Sequence, residues 1–168
     1  LIGMIQPLHE EPPEIFAPRL EKVGCVGRIT QLEESGDGRY FMVLTGISRF
    51  EIDHEEISDA PFRVCAANYA PFVHDLCETG SLGDQQRPDL LRVIGLFEQT
   101  RGLKIDRRVV ESATCDELIN GLSMKLRFTE REKQALLEAR DIRIRADILT
   151  AIAEIESAAK SGAPRNLQ

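Results

Sequence analysis

Beyond Gly83 the apolar residues of this chain change their spacing from every second position to every third or fourth. A strand face repeats every two residues and a helix face every 3.6, so no single layer of secondary structure satisfies both halves. The break predicts an α+β protein with strands first and helices after. Two helix starts sharpen it. Thr129 and Glu132 form one capping box, and Thr114 and Glu117 form another. In each, the Thr hydroxyl can accept from the backbone N–H three residues on, and the Glu can reach back to the N–H of the Thr. The predicted layout is a β-rich region over 1–80, a helical bundle over 84–160 and a flexible tail over 161–168.

In the first region Leu1 to Gln6 suits a buried strand ending at Pro7. Because Leu1 already reads as the middle of a strand, the natural start is expected upstream. His9 to Pro18 contains Pro12, Pro13 and Pro18 and reads as a loop, since each proline removes a backbone donor. Lys22 to Glu34 has a strand pattern interrupted by Gly24 and Gly27. Glu34 to Arg39 is a hairpin connection, its glycines suited to positive φ. Tyr40 to Thr45 is a strongly apolar strand. Gly46 is expected to break it, with an extended continuation over Ser48 to Asp53. After an acidic loop at Glu55 to Asp59, Pro61 to Tyr69 alternates, Phe62, Val64 and Ala66 facing one way.

In the second region Pro88 suits a first helical turn. Leu90, Val93, Ile94 and Phe97 form an amphipathic face that Gly102 ends. After the two capped helices, Asp141 opens a final helix with an expected buried stripe of Ile144, Ile148, Leu149, Ile152 and Ile155.

Composition excludes several classes. No apolar run approaches the ~20 residues a membrane span needs. The net charge is −7. Residues 1–80 carry 6 basic and 14 acidic side chains, or −8, and residues 81–168 carry 15 and 14, or +1. Phosphate binding needs clustered Lys and Arg, so an acidic first half opposes nucleic acid. Cys25, Cys65, Cys77 and Cys115 show no paired spacing, which points to reduced thiols in a cytoplasm.

Taken in order, Val23-Gly24-Cys25-Val26-Gly27-Arg28-Ile29, Leu44-Thr45-Gly46-Ile47-Ser48-Arg49-Phe50, Pro61-Phe62-Arg63-Val64 and the helices from Leu118-Ile119-Asn120-Gly121-Leu122 to Leu137 resemble the N-terminal, substrate-recognition domain of the Lon proteases. They resemble more closely the free-standing bacterial proteins built from that domain alone. The resemblance implies a PUA-like β pseudobarrel followed by a C-terminal helical bundle. It implies a non-catalytic domain that binds unfolded or tagged polypeptide for proteolysis, in protein quality control. Family members usually begin with a further strand and a short helix. Here that segment is absent, so the chain is either a fragment or a barrel with an open edge. Two alternatives stay open: an RNA-binding PUA-like module, and an accessory subunit of an ATP-dependent protease. Self-association is likewise open.

Catalytic chemistry finds little support. There is no G-x-x-x-x-G-K-[ST] loop for a triphosphate. Ser157 and Lys160 match S-x-x-K by letter, at a helix end without companion motifs. His9, His54 and His74 form no metal motif; His74, Asp75 and Cys77 offer donors, but a tight site needs about four ligands. No catalytic residue, cofactor or metal is expected. Arg49 could clamp a carboxylate, but its setting favours a bond inside the fold. Gly24, Gly27, Gly46 and Phe50 are read with it as structural. The peptide-contact candidates are Pro13, Ile15, Phe16 and Phe72, apolar residues in predicted loops.

Overall fold

The computed structural model describes residues 1–8, 17–76 and 82–162. The chain divides into two compact units, Leu1–Thr79 and Gly80–Gln168. Its class is α+β, with the helices C-terminal.

The first unit holds an antiparallel sheet in the order β1-β2-β3-β4. These strands are β1 (Ile2–Met4), β2 (Val23–Glu34), β3 (Tyr40–Glu56) and β4 (Val64–Asn68). Strands β2 and β3 form one long hairpin. Its turn uses Gly36 and Gly38 at φ of 77° and 82°, a region that side chains with a Cβ avoid. Gly46 does not break β3. Gly27 faces Gly46 and Val26 faces Ser48, so Ile47 is taken up as one extra residue in an unbroken strand. The strand also runs through Glu55 and Glu56, which the charge pattern assigns to a loop; Cys65 and Val64 pair with them.

Strand β4 is shorter than its alternation suggests. Phe62 lies outside it and is exposed. Arg63 is drawn instead to the Glu55 carboxylate and to the Pro18 carbonyl oxygen, 2.7 Å away. A 3-10 segment follows over Ala70–Leu76.

The interior of this unit is small. Val23, Val26, Phe50 and Phe72 are its buried apolar residues among those described. Phe50 and Tyr69 meet with ring centroids 6.0 Å apart. Gly24 explains how β1 fits on top: a Cβ there would stand 2.6 Å from Ile5 Cγ1 and 2.8 Å from the Met4 carbonyl oxygen. Only a residue without a side chain lets the backbones approach so closely.

The second unit contains α1 (Arg87–Arg101), α2 (Arg107–Ser112), α3 (Cys115–Lys125), α4 (Glu130–Glu138) and α5 (Ile142–Lys160). Both capping boxes form as their spacing requires. Leu90, Val93, Ile94 and Phe97 are all buried, and Gly102 ends α1 at φ 65°. Helix α2 has no counterpart in the periodicity; its six residues are too few to show a period, and Asp106 caps it by accepting from the Arg108 N–H.

The buried stripe of α5 is rotated from the expected one. Leu149, Ile152 and Ala153 are buried, with Ile142, Ala146 and Ile148 packed beside them. Ile144 and Ile155 are exposed. Small Ala146 and Ala153 allow close packing, a role that side-chain hydropathy hides.

Arg101 ties this unit together. Its guanidinium lies 5.0 Å from the Phe97 ring and 4.7 Å from the Phe128 ring. It also donates to Glu156 of α5 and to the Arg127 carbonyl oxygen.

Candidate functional site

Arg49 is held inside the first unit. Strand β3 brings it opposite Cys25, while the 3-10 segment brings Asp75 beside it. Its Nε donates to Asp75 Oδ2 at 2.9 Å and its second terminal nitrogen to Oδ1 at 2.8 Å. The Arg49 backbone N–H donates to the same carboxylate at 2.9 Å. Below, the guanidinium covers the Phe72 ring at 4.4 Å. The planar fork fits a carboxylate with two parallel bonds, and that carboxylate is supplied from within the fold.

This arrangement corrects one expectation. Phe72 is 2% exposed and forms the floor under Arg49, so it offers no surface to a peptide. Pro13, Ile15 and Phe16 lie outside the described residues, as do His9 and Cys77. Gly24, Gly27 and Gly46 sit in the β2–β3 ladder, and Phe50 in the interior beside Gly3 and Gly24.

Groups with reactive chemistry are placed for other work. Lys160 donates to the carbonyl oxygens of Gln99 and Thr100, at 2.7 and 3.1 Å, and so closes the end of α1. Its donors are thus directed at the last turn of α1, where a cation complements the helix C-terminus. Asp75 is committed to Arg49, and His54 Nδ1 lies 3.1 Å from Asp53. Among the described residues no three His, Cys, Asp or Glu side chains are grouped to hold a metal. Burial, followed by the nearby Asp75 charge, pushes the Cys25 thiol above its ordinary pKa. Burial does the same at Cys65, with Glu55 adding to it. A nucleophilic thiol needs the opposite shift.

A cleft of about 360 Å³ opens among α1, α3 and α5. Asp89, Arg92, Arg143 and Asp147 rim it over Leu90 and Cys115. The two acids and two arginines leave no net charge to attract an ion, and Arg92 already donates to Glu154 at 3.0 Å.

The feature that periodicity left unread is the outer half of the β2–β3 hairpin. Antiparallel partners share a face, and alternate residues lie on opposite faces. Leu44 faces Ile29, Met42 faces Leu32 and Tyr40 faces Glu34. One face therefore carries Ile29, Leu32, Tyr40, Met42 and Leu44, and the other carries Phe41 and Val43. All except half-buried Leu44 are exposed. Strand β1 pairs with β2 only at Cys25 to Gly27, and β4 pairs with β3 only from Glu51 onward. Among the described residues, the outer hairpin is thus two strands with both edges open.

Comparison with known proteins gives consistent matches. The profile of the ATP-dependent protease La (LON) substrate-binding domain family matches residues 3–154. A Lon protease of Flavobacterium johnsoniae is 27% identical over 155 residues, which is 87% of this chain and 18% of the relative. The chain thus spans less than a fifth of that protein. Among solved structures, the N-terminal domain of a Mycobacterium avium complex Lon protease is similar with a TM-score of 0.59 at 16% identity, over 81% of this chain and 72% of the other. A Lon N-terminal domain protein from Xanthomonas campestris is similar with a TM-score of 0.54 at 18% identity, over 79% and 68%. At such identities the likeness of structure speaks for the fold.

Proposed function

The chain belongs to the ATP-dependent protease La (LON) substrate-binding domain family, and from that premise we propose that it binds unfolded or tagged polypeptide without transforming it. Binding would select clients in protein quality control, in the reducing cytoplasm. Cleavage and ATP hydrolysis would belong to other modules, on the same chain or on a partner.

The observation that carries this reading is the outward-facing apolar surface of the first unit. Leu32, Tyr40 and Met42 are large and exposed together on one face of the hairpin, and Phe41 and Val43 are exposed on the other. An ordinary soluble domain scatters such side chains singly, and a contiguous patch marks a contact surface. The rest of the geometry agrees with it. Arg49, Asp75 and Lys160 are occupied in holding the fold, and both part-buried thiols are shifted away from reactivity.

Titration of the purified chain with a labelled, reduced and alkylated model protein tests the reading. Saturable binding in the micromolar range, absent for the same protein in its native form, is the expected result. No binding at high micromolar concentration would remove it.

A further inference from the structure

We propose that the outer edge of β3, over Tyr40 to Thr45, takes up an extended polypeptide segment as an added strand, one with apolar side chains between flanking Lys or Arg residues. The proposal rests on the polypeptide-binding reading and gives it a place and a sequence preference.

The edge is the first reason. An open strand edge presents a row of backbone donors and acceptors that another chain can pair with, and soluble proteins normally guard it with Lys, Pro, a bulge or a cover. Tyr40-Phe41-Met42-Val43-Leu44-Thr45 has no charge and no proline. Both register shifts of the hairpin lie inward of Gln31 and its partner Val43. Beyond them the ladder from Val43 to Tyr40 is regular, and no strand among the described residues pairs with its outer side.

The faces are the second reason. A segment of about six residues laid along this edge at ~3.3 Å per residue would place alternate side chains on the two faces. On one face they meet Tyr40, Met42 and Leu44, continued by Leu32 and Ile29. On the other they meet Phe41 and Val43. Tyr40 and Phe41 are 62% and 61% exposed, so each has aromatic surface to cover.

Charge decides the occupant. The first 79 residues hold 6 basic and 14 acidic side chains, which leaves −8. Among the described residues, bases already face acids of the same unit in the pairs Lys22–Glu51, Arg39–Asp37, Arg49–Asp75 and Arg63–Glu55. Glu33 and Glu34 lie at the end of β2 beside the patch, opposite Phe41 and Tyr40. A second copy would bring −8 against −8 across a contact without Lys. A segment flanked by Lys or Arg instead meets a field of opposite sign, which raises its encounter rate and fixes its orientation.

Fluorescence anisotropy with labelled peptides of about ten residues tests this on the intact chain. The probe has alternating Val and Thr between pairs of Lys. The controls replace every Lys by Glu, or place one Pro at the centre, where it removes a backbone donor. Expected is micromolar binding of the Lys peptide that weakens at least about tenfold with either control and falls as salt rises to about 0.5 M. Phe41→Lys is expected to weaken it by about the same factor, with the melting temperature held, while Phe41→Tyr binds as the parent does. Equal binding of the Lys and Glu peptides, or indifference to the central Pro, overturns the proposal on the unmodified protein alone. A concentration-dependent dimer abolished by Phe41→Lys also overturns it, because the occupant is then a second copy. If Phe41→Lys still captures the unfolded model protein at full strength, the edge is wrong and the polypeptide-binding reading stands.

Discussion

The two units handle apolar surface in opposite ways. Among the described residues of the helical unit, fifteen buried ones form one cluster that includes Ile94, Phe97, Ile119 and Leu149. In the strand unit only Val23, Val26, Phe50 and Phe72 are buried among the described residues, while thirteen large apolar side chains are exposed, against six in the helical unit. One unit spends its hydrophobic residues on its own cohesion. The other holds together through the close approach at Gly24 and the Arg49–Asp75 clasp, and leaves its oily side chains outside. Apolar cohesion and exposed apolar surface are thereby placed in different parts of the chain.

Substitution of Phe97 by Ala should test this contrast most severely, costing about 3–5 kcal/mol because a fully buried ring leaves a cavity. Urea unfolding followed by circular dichroism at about 222 nm measures it. Both tyrosines, Tyr40 and Tyr69, lie in the strand unit and the chain has no Trp, so tyrosine emission reports that unit separately. A loss seen equally in both signals would break the contrast. Gly24→Val should come next, at about 1–3 kcal/mol, since its side chain would have to displace Ile5 and the Met4 carbonyl. Hydrogen exchange should show lost protection in β1 and unchanged protection in α1 and α5.

Thr129→Ala should cost about 1 kcal/mol by removing the cap of α4, read as a shift of the urea midpoint in the helical signal alone. The smallest effect concerns pH. Hydrogen bonds from the backbone and hydroxyl of Thr114 hold the Glu117 carboxyl below its ordinary pKa. A depressed carboxylate contributes stability that is present above its unfolded value, near 4.5, and is lost as pH falls through the lower folded value. Carbon-detected NMR titration of Glu117 should show a midpoint below that of Glu117 in a Thr114→Ala variant. Identical midpoints would mean that the Thr114 hydroxyl does not hold the Glu117 carboxylate in solution.

The architecture was legible where a local rule met no competing strand pairing; at Gly46 and at Glu55 and Glu56 it met one. The capping boxes at Thr114 and Thr129, the hairpin glycines and the α1 face each rest on neighbours within a few residues. Asp75 as the partner of Arg49 was not legible, because 26 residues separate them and no periodicity links the two. The exposed hairpin was not legible for another reason. A run such as Tyr40 to Thr45 reads as a strand whether or not anything covers it, so the pattern identifies the element and leaves its surroundings open. Phe72 shows the converse, since a loop assignment suggested exposure and the 3-10 segment folds it inward. Likewise, the rotation of the α5 stripe follows from alanines that hydropathy underrates.

Strand β3 contains seventeen residues. At ~3.3 Å each they reach roughly 55 Å, far more than the interior side chains among the described residues can cover. The length of this strand is therefore free to vary as a ruler would. Adding or deleting two residues in each arm near Gly36 and Gly38 would lengthen or shorten the reach by one pleat. It would keep the same side chains on the same faces and leave the interior undisturbed, so evolution or an engineer can retune the span of this domain without refolding it.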